Sequence, residues 1–541
     1  MSNSSFHMKF IRKILPRIFF SASDFKKYRE VIVKSELFDA KFYIENYLNE
    51  EVGSSRSFTK EDAIDHYLIK GVKAGYDPSN YFSTSWYLNR YEDVRESGMN
   101  PLIHFVLCGE QEGRLPRPPL LEQIEQLRLD DSQFNFTFYS TRTDGLGERL
   151  KSLLNAIVLA DYFKCGFKFT WAKSSYLGNA HSIASPEDTF SEDFLQAYMV
   201  MDVPNNIVNI ESEEDVGTLS SKNAAVRVSQ ANLVQQYPSL NSKLESGVFA
   251  QAFKTIQFSR EINTAIEFAN QIKIPSSCVS IHLRSGDIVY GRYRYDDRHT
   301  SKVVSFAQAD YMMHRLAGHN VKVILFGQSD SVCRFLANKF SGLFFGDDKR
   351  VAGMSSLQRA IFDMVLMSRT CKIYAGNSGF SQLAELIGDA NISVPEEDFN
   401  HESMAKHIID ILAQTECSDI DHYQRAFGCW HLVYHFKNVI GLEQAIYHVE
   451  KALEYTADCL FYRVVLATMY HEAQDFEKAG IELKIVLESK GQNTNGLGDY
   501  RYLSKFRYSD GRSPLHNYRD HLLQMSKSGI DGAEALFRAT L

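Results

Sequence analysis

Between Ser280 and Gly291 the chain reads SIHLRSGDIVYG. Val279, Ile281 and Leu283 alternate with Ser280, His282 and Arg284, as a strand requires, and the run then breaks into Ser285, Gly286 and Asp287. Residues at the carboxyl end of a parallel strand border the crevice where ligands bind in open α/β sheets. An arginine there suits a diphosphate, because its planar fork donates two hydrogen bonds at once. At an effective dielectric near 20, a unit pair about 4 Å apart is worth on the order of 4 kcal/mol. The plainer alternative is a turn in which Arg284 and Asp287 pair only with each other.

Two more stretches carry anion chemistry. In TRTDGLGERLKSLLNA (Thr141 to Ala156) a strand ends, Gly145 and Gly147 turn, and a helix begins. Such glycines let backbone N–H groups approach an anion at the positive end of a helix dipole, although a Gly-x-Gly turn alone is a weak signal. Arg149 either faces the crevice or solvates the helix surface. In CKIYAGNSGFSQLAELIG (Cys371 to Gly388) a strand leads through Gly376, Asn377, Ser378 and Gly379 to a helix starting near Phe380. The Ser378 and Ser381 hydroxyls with the first helical N–H groups form a second cradle. Ordinary N-capping by either serine is the alternative, and one helix end can serve both purposes.

These stretches need strands and helices to hold them. From about Phe134 onward, short apolar runs alternate with helical spacing: FNFTFYS, FKFTW, CVSIHLR, VKVILFG and CKIYAG are the strands. That is the pattern of parallel sheets covered by helices, in two clusters that suggest two open-sheet domains at 130–275 and 276–415. Residues 31–120 carry two imperfect helical repeats. Phe38 and Tyr43 match Phe82 and Tyr87; His66, Gly71 and Gly75 match His104, Gly109 and Gly113. The repeated histidines read as packing and capping residues rather than ligands, and RLPRPPL (Arg114 to Leu120) reads as a linker. Within 420–541, Ala445 and Ala479 share a spacing with Ala452 and Val486, as in a tetratricopeptide-like helical module.

Bulk composition narrows the classes. At 541 residues the chain exceeds one core, and 44% hydrophobic with 23% charged residues is ordinary for a globular protein. A net charge of −8 argues against nucleic-acid binding, which needs a basic surplus. That surplus exists only in the basic N-terminal segment 1–30, where Lys9, Arg12, Lys13 and Arg17 interleave with apolar residues. It is too short for a transmembrane helix and lacks a signal-peptide cleavage pattern; it reads as an amphipathic segment for an anionic membrane surface, or as a solvated terminus. Eight scattered cysteines without a Cys-x-x-Cys read as reduced thiols of a cytosolic protein, which the basic segment would hold at the inner face of the plasma membrane. No Asp-x-Asp metal motif stands out, and Asp296-Asp297 and Asp347-Asp348 read as solvated loop carboxylates.

Taken together, in this order, the motifs resemble those of the superfamily of α1,2-, α1,6- and protein O-fucosyltransferases. IHLRSGD resembles its His-x-Arg-Arg-x-Asp motif, and ILFGQSD (Ile324 to Asp330) its next strand and acidic loop. DMVLMSRTCKIYAGNSGFSQLAELIG, with Asp363, Ser378, Phe380 and Ser381, resembles its closing motif, and GLGERL its glycine turn. The N-terminal repeats resemble units found beside glycosyltransferase domains of bacterial surface-polysaccharide proteins. Two departures stand out. Ser285 occupies the place of a second arginine, and Glu148 and Arg149 replace Asn-Gln.

The resemblance implies an inverting glycosyltransferase of the two-domain B architecture (GT-B), using GDP-fucose without a metal or other cofactor. Arg284 would hold the β-phosphate, His282 would orient the donor, and Asp287 would fix the arginine or the sugar. Ser329 and Asp330 would meet the guanine edge. Gly145, Gly147, Asn377, Ser378, Gly379, Phe380 and Ser381 would complete the donor site. Asp287, Asp144 and Glu148 remain open as the general base. The loop YGRYRYDDRHTSK follows directly, and its Tyr290, Arg292 and Arg294 could close as a lid, since sugars stack on aromatic faces. The expected acceptor is a surface glycan or lipid-linked oligosaccharide, with the helical repeats recruiting protein partners. Two alternatives stay open: a different nucleotide-sugar donor on the same fold, and a non-catalytic sugar-nucleotide-binding scaffold.

Overall fold

The computed structural model describes residues 22–35, 37–48, 58–79, 81–118, 135–172, 183–210, 223–233, 244–414, 420–489, 500–508 and 511–541. The chain forms two compact units, one of residues 1–139, 159–168 and 202–243, the other of 140–158, 169–201 and 244–541. The basic segment at the N-terminus, up to residue 21, lies outside the described residues. Among the described residues no helix is long and apolar enough to cross a membrane.

In the first unit both repeats close around the same three residues. The Tyr43 hydroxyl shares a hydrogen bond of 2.9 Å with His66 Nδ1, and Tyr87 shares one of 3.0 Å with His104 Nδ1. A π-helical turn follows each histidine, at Tyr67–Gly71 and Phe105–Gly109. The wider turn sets Gly71 against the Tyr43 hydroxyl and Gly109 against the Tyr87 hydroxyl, where a Cβ would collide. Gly75 and Gly113 then turn at φ of +74° and +68°, the left-handed conformation that glycine tolerates best. The same unit holds the bulk of a four-stranded sheet of order β2-β1-β4-β3, with β1 at Asn135–Ser140, β2 at Gly166–Phe169, β3 at Val208–Asn209 and β4 at Asn223–Val228.

Helix α1 (Leu146–Phe163) follows β1, and α2 (Arg260–Gln271) precedes the second sheet. That sheet has the order β6-β5-β7-β8 and is parallel throughout. Its strands are β5 (Val279–Leu283), β6 (Val323–Gly327), β7 (Lys372–Tyr374) and β8 (Asn391–Ser393). All five residues of β5 are buried, as expected for a central strand covered on both faces. The connecting helices are α3 (Phe306–Gly318), α4 (Asp330–Phe340), α5 (Ser356–Met367) and α6 (Gly379–Ile387). Phe268 of α2 stacks on Phe362 of α5 with ring centres 5.4 Å apart, and Arg369 donates to the Ile272 carbonyl at 2.9 Å. The segment 244–275 thus shares a unit with the second sheet, and the division drawn in sequence at 275 does not coincide with the boundary between units.

The C-terminal part is helical, with α7 (His401–Ala413), α8 (His422–Tyr455), α9 (Leu460–Glu472) and α10 (Phe476–Glu488). Helix α8 kinks at Gly441, where φ is +81°. The four positions with repeat spacing, Ala445, Ala452, Ala479 and Val486, are all fully buried. They share one apolar core with Ile288, Val289, Tyr295 and Val303, which come from the segment just after β5.

Gly71→Ala should destabilise the first repeat by about 1–3 kcal/mol, because the added methyl overpacks a tyrosine that is itself hydrogen-bonded. Hydrogen exchange of the amides in 60–76 would check this, with faster exchange expected there and no change in 279–283.

Candidate active site

Strand β5 ends at Leu283 and the chain turns at once. Gly286 has φ of +37°, and Gln328 lies so close that a Cβ on Gly286 would meet its Oε1 at 2.6 Å. The same Oε1 accepts from Ser285 N at 3.3 Å. The turn lays Asp287 beside Arg284, whose Nη2 donates to Oδ1 at 2.8 Å; side-chain exposures are 24% and 10%. The pairing read from sequence as the plainer alternative therefore exists. It leaves three polar atoms around this sheet edge buried and without a hydrogen-bond partner: Arg284 Nε, Ser285 Oγ and Ser378 Oγ. Such groups cost about 1–3 kcal/mol each and call for a partner.

His282, on β5, is buried and shares a 2.6 Å hydrogen bond through Nδ1 with Ser381 on α6. Burial, and then the charge of Arg284, push its pKa down to about 3, so the ring is neutral across the physiological range. The half-buried Phe380 lies against it, ring centres 5.3 Å apart.

From β7 the chain enters the loop Gly376–Asn377–Ser378 and then α6. Asn377 N donates to the Ser301 carbonyl at 2.9 Å, and a Cβ on Gly376 would collide with Ser301 and Lys302. Ser378 stands at the N-cap, but its hydroxyl makes no capping bond. Ser381 is bonded to His282, so neither serine caps through its side chain. The first turn of α6 thus keeps its N–H groups and one buried hydroxyl at the carboxyl edge of the sheet.

The start of α1 meets the start of α6. A Cβ on Gly147 would lie 2.9 Å from the backbone of Gly379 and Phe380, and the Glu148 carboxylate sits against Gly379. Lys151 Nζ donates to Gln382 Oε1 at 2.6 Å, and Gln382 Nε2 to Asn377 Oδ1 at 2.7 Å, linking the two helices. Gly145, by contrast, has open space around it. Arg149 neither faces the crevice nor solvates the helix. It is buried, and donates to the carbonyls of Asp144, Thr143 and Ala172 at 2.7–2.8 Å, bracing the turn from behind.

At the next strand, Ser329 and the exposed Asp330 open α4. Ser329 Oγ lies 3.1 Å from Ser331 Oγ and 3.4 Å from the Tyr290 hydroxyl. Asp363 on α5 is buried against Arg359, with contacts of 2.9 and 3.0 Å. Burial pushes its pKa up to about 7 despite that guanidinium.

The segment expected to be a lid is tied down. Tyr290 donates to Asp421 at 2.7 Å and accepts from Gln424 at 3.0 Å. Arg294 pairs with Asp458 and lies over the Tyr423 ring, 4.6 Å from its centre. Arg292 begins a short 3-10 turn, Arg292–Tyr295. Asp296 and Asp297, expected to be solvated, are 3% and 7% exposed. Asp296 accepts from Tyr502 at 2.9 Å and from Tyr508; Asn517 donates to Asp297 at 3.1 Å. These partners are more than 200 positions away, so nothing local could announce them. Asp347 and Asp348 do lie at the surface, paired with Arg334 and Arg350. Among the described residues no group of three or more His, Cys, Asp or Glu side chains could hold a metal ion.

A parallel sheet with a guanidinium and a helix N-terminus at its carboxyl edge is the arrangement of a nucleotide-binding α/β domain. No family model matches the chain, and no curated protein matches it. Among the solved structures it is similar to are fucosyltransferases. Against fucosyltransferase NodZ from Bradyrhizobium the identity is 16%, over 49% of this chain and 98% of that one, with a TM-score of 0.31. Against POFUT1 in complex with GDP it is 10%, over 49% and 98%, with a TM-score of 0.29.

The histidine gives a signed expectation. Its folded pKa lies below the unfolded value, so between about pH 6.5 and 3 the unfolded chain binds a proton that the folded chain refuses, and stability falls with acidification. Comparison with His282→Gln isolates this from the buried carboxylates. Wild type should lose about 1.4 kcal/mol more per pH unit in that window, read from denaturant unfolding between pH 6.5 and 4.5.

Proposed function

We propose that this chain is an inverting glycosyltransferase that binds a nucleoside-diphosphate sugar at the carboxyl edge of β5 and transfers the sugar, fucose from GDP-fucose, to a bacterial surface glycan or lipid-linked oligosaccharide. The observation that carries this reading is that Arg284 Nε after β5 and the Ser378 hydroxyl at the start of α6 are both buried without hydrogen-bond partners. Both are donors of the kind that a diphosphate oxygen accepts from, which supports the reading. The choice of fucose rests on the motif resemblance of IHLRSGD and the serine loop.

In the reaction, an acceptor hydroxyl oxygen attacks the anomeric carbon from the face opposite the diphosphate. The bond from that carbon to the phosphate oxygen breaks, and its electron pair leaves on the diphosphate. Arg284 and the α6 N-terminus hold the charge that develops there; a preorganised donor of this kind typically controls about 10²–10³-fold in rate. Asp287 holds the guanidinium in place, and the neutral His282 fixes Ser381 and the start of α6. The acceptor proton passes to a carboxylate, for which Asp144, Glu148 and Asp287 are the candidates. Each has a cation beside it, Arg142, Lys151 and Arg284 respectively. No metal or cofactor is needed in this scheme, because fixed cations and helix ends neutralise the leaving group.

A second reading keeps the mechanism with a different nucleotide sugar, and Ser285 favours it, since a serine replaces one arginine of the resembled motif. Release of nucleoside diphosphate from a panel of nucleotide sugars, with candidate glycan acceptors present, separates the two. GDP release from GDP-fucose alone, reduced about 100-fold or more in Arg284→Ala with unfolding behaviour unchanged, is the expected result. Release from another donor would replace fucose, and turnover undiminished in Arg284→Ala would overturn the site.

A further inference from the structure

The motif has one cation where the resembled pattern has two, yet the site holds another charge. Lys302 ends the tethered segment, 15 positions after Asp287. Its backbone packs against the anion loop: a Cβ on Gly376 would meet the Lys302 carbonyl group, and Asn377 N is bonded to Ser301. On the other side, Trp430 Nε1 donates to Thr300 Oγ1 at 3.0 Å, and His431 Nε2 lies 2.9 Å from the Val303 carbonyl. Two buried aromatic side chains of α8 thus fix the residues flanking Lys302.

We infer that Lys302 is the second cation of the diphosphate site, supplied from the segment that the C-terminal helices hold, in place of the arginine that Ser285 replaces. This rests on the reading of the site given above. The charges around the ammonium group are Arg284, Glu148, Asp287 and Asp144, with the neutral, half-buried His299 beside them. These come from β5 and its turn, the start of α1 and the tethered segment, so Lys302 sits among the groups assigned to the donor. Burial and then Arg284 lower its pKa, while the three carboxylates oppose that shift. A lysine held next to an arginine in a half-buried crevice is electrostatically unfavourable in isolation, and a dianionic or trianionic diphosphate removes that penalty. Ser285 is 2% exposed, and the backbone of Ser301 and Lys302 reaches the site at Gly376 and Asn377 instead.

Calorimetric titration with GDP, UDP, CDP and ADP tests this on wild type, Lys302→Met, Lys302→Arg and Arg284→Ala. Lys302→Met should weaken the nucleoside diphosphate that binds wild type by about 10- to 100-fold. Toward alkaline pH, wild-type affinity should fall more steeply than that of Lys302→Arg, because burial and then Arg284 hold the lysine below its ordinary value. Lys302→Arg should restore the affinity lost in Lys302→Met and show the shallower alkaline fall, because arginine stays charged; a purely structural role would move neither. If Arg284→Ala weakens binding but Lys302→Met does not, this inference fails and the site reading stands. If neither variant weakens it, or no diphosphate binds wild type, both fail. If Lys302→Met unfolds, the presence or absence of the alkaline fall in wild type against Lys302→Arg decides the matter.

Discussion

The organising constraint of this protein is a concentration of positive charge at the carboxyl edge of β5. Arg284 and the first turns of α1 and α6 lie there, with the Lys302 backbone against Gly376, and each helix start carries about half an elementary charge. Out of bulk water such charges are weakly screened and repel one another. Asp287 and Glu148 offset part of that repulsion, one on the guanidinium and the other against Gly379. The glycines follow from the same demand. A Cβ on Gly147 would strike the backbone of Gly379 and Phe380, so the two helix starts come this close because residue 147 lacks a Cβ.

The C-terminal helices belong to the same economy of charge. Asp296 and Asp297 are buried, and burial pushes the Asp296 pKa up to about 6. A buried carboxylate is costly unless it accepts hydrogen bonds. Tyr502, Tyr508 and Asn517 provide them from beyond α10, while Tyr295 and Val303 join the apolar core of α8 to α10. Residues 290–303 therefore owe their conformation to helices that the sequence presents as a separate module. Those helices act on the candidate site through packing, whatever further partners they take.

Much of this was legible in the sequence, for identifiable reasons. Alternating apolar positions placed β5, and the break at Arg284 marked its carboxyl end, because strand periodicity and turn residues are local signals. The paired Phe, Tyr, His and Gly positions of the N-terminal repeats mapped onto equal geometry, because each unit closes on itself. Three features were illegible. Arg149 turned inward to brace the glycine turn, which depends on carbonyls at Thr143 and Ala172. The charged, aromatic segment 290–302 reads as surface because its partners are far along the chain. Lys302 read only as one basic residue of the lid-like loop, since the place of Ser301 and Lys302 at the anion loop is set by contacts with Gly376 and Asn377.

The departures from the resembled motif take on physical sense in this frame. Position 285 is nearly inaccessible and lies under Gln328, whose Oε1 accepts from the Ser285 amide. A guanidinium there would have to displace that contact and share the edge with Arg284 on the same side. In the proposed site Lys302 carries the second cation, and the turn at Gly286 can stay tight. What the leaving group requires is the number of charges around it and the absence of competing water, not their position in the chain. A motif read as an ordered string records the address of each charge, whereas the site depends on their sum, and this is why a missing arginine does not by itself argue for lost chemistry.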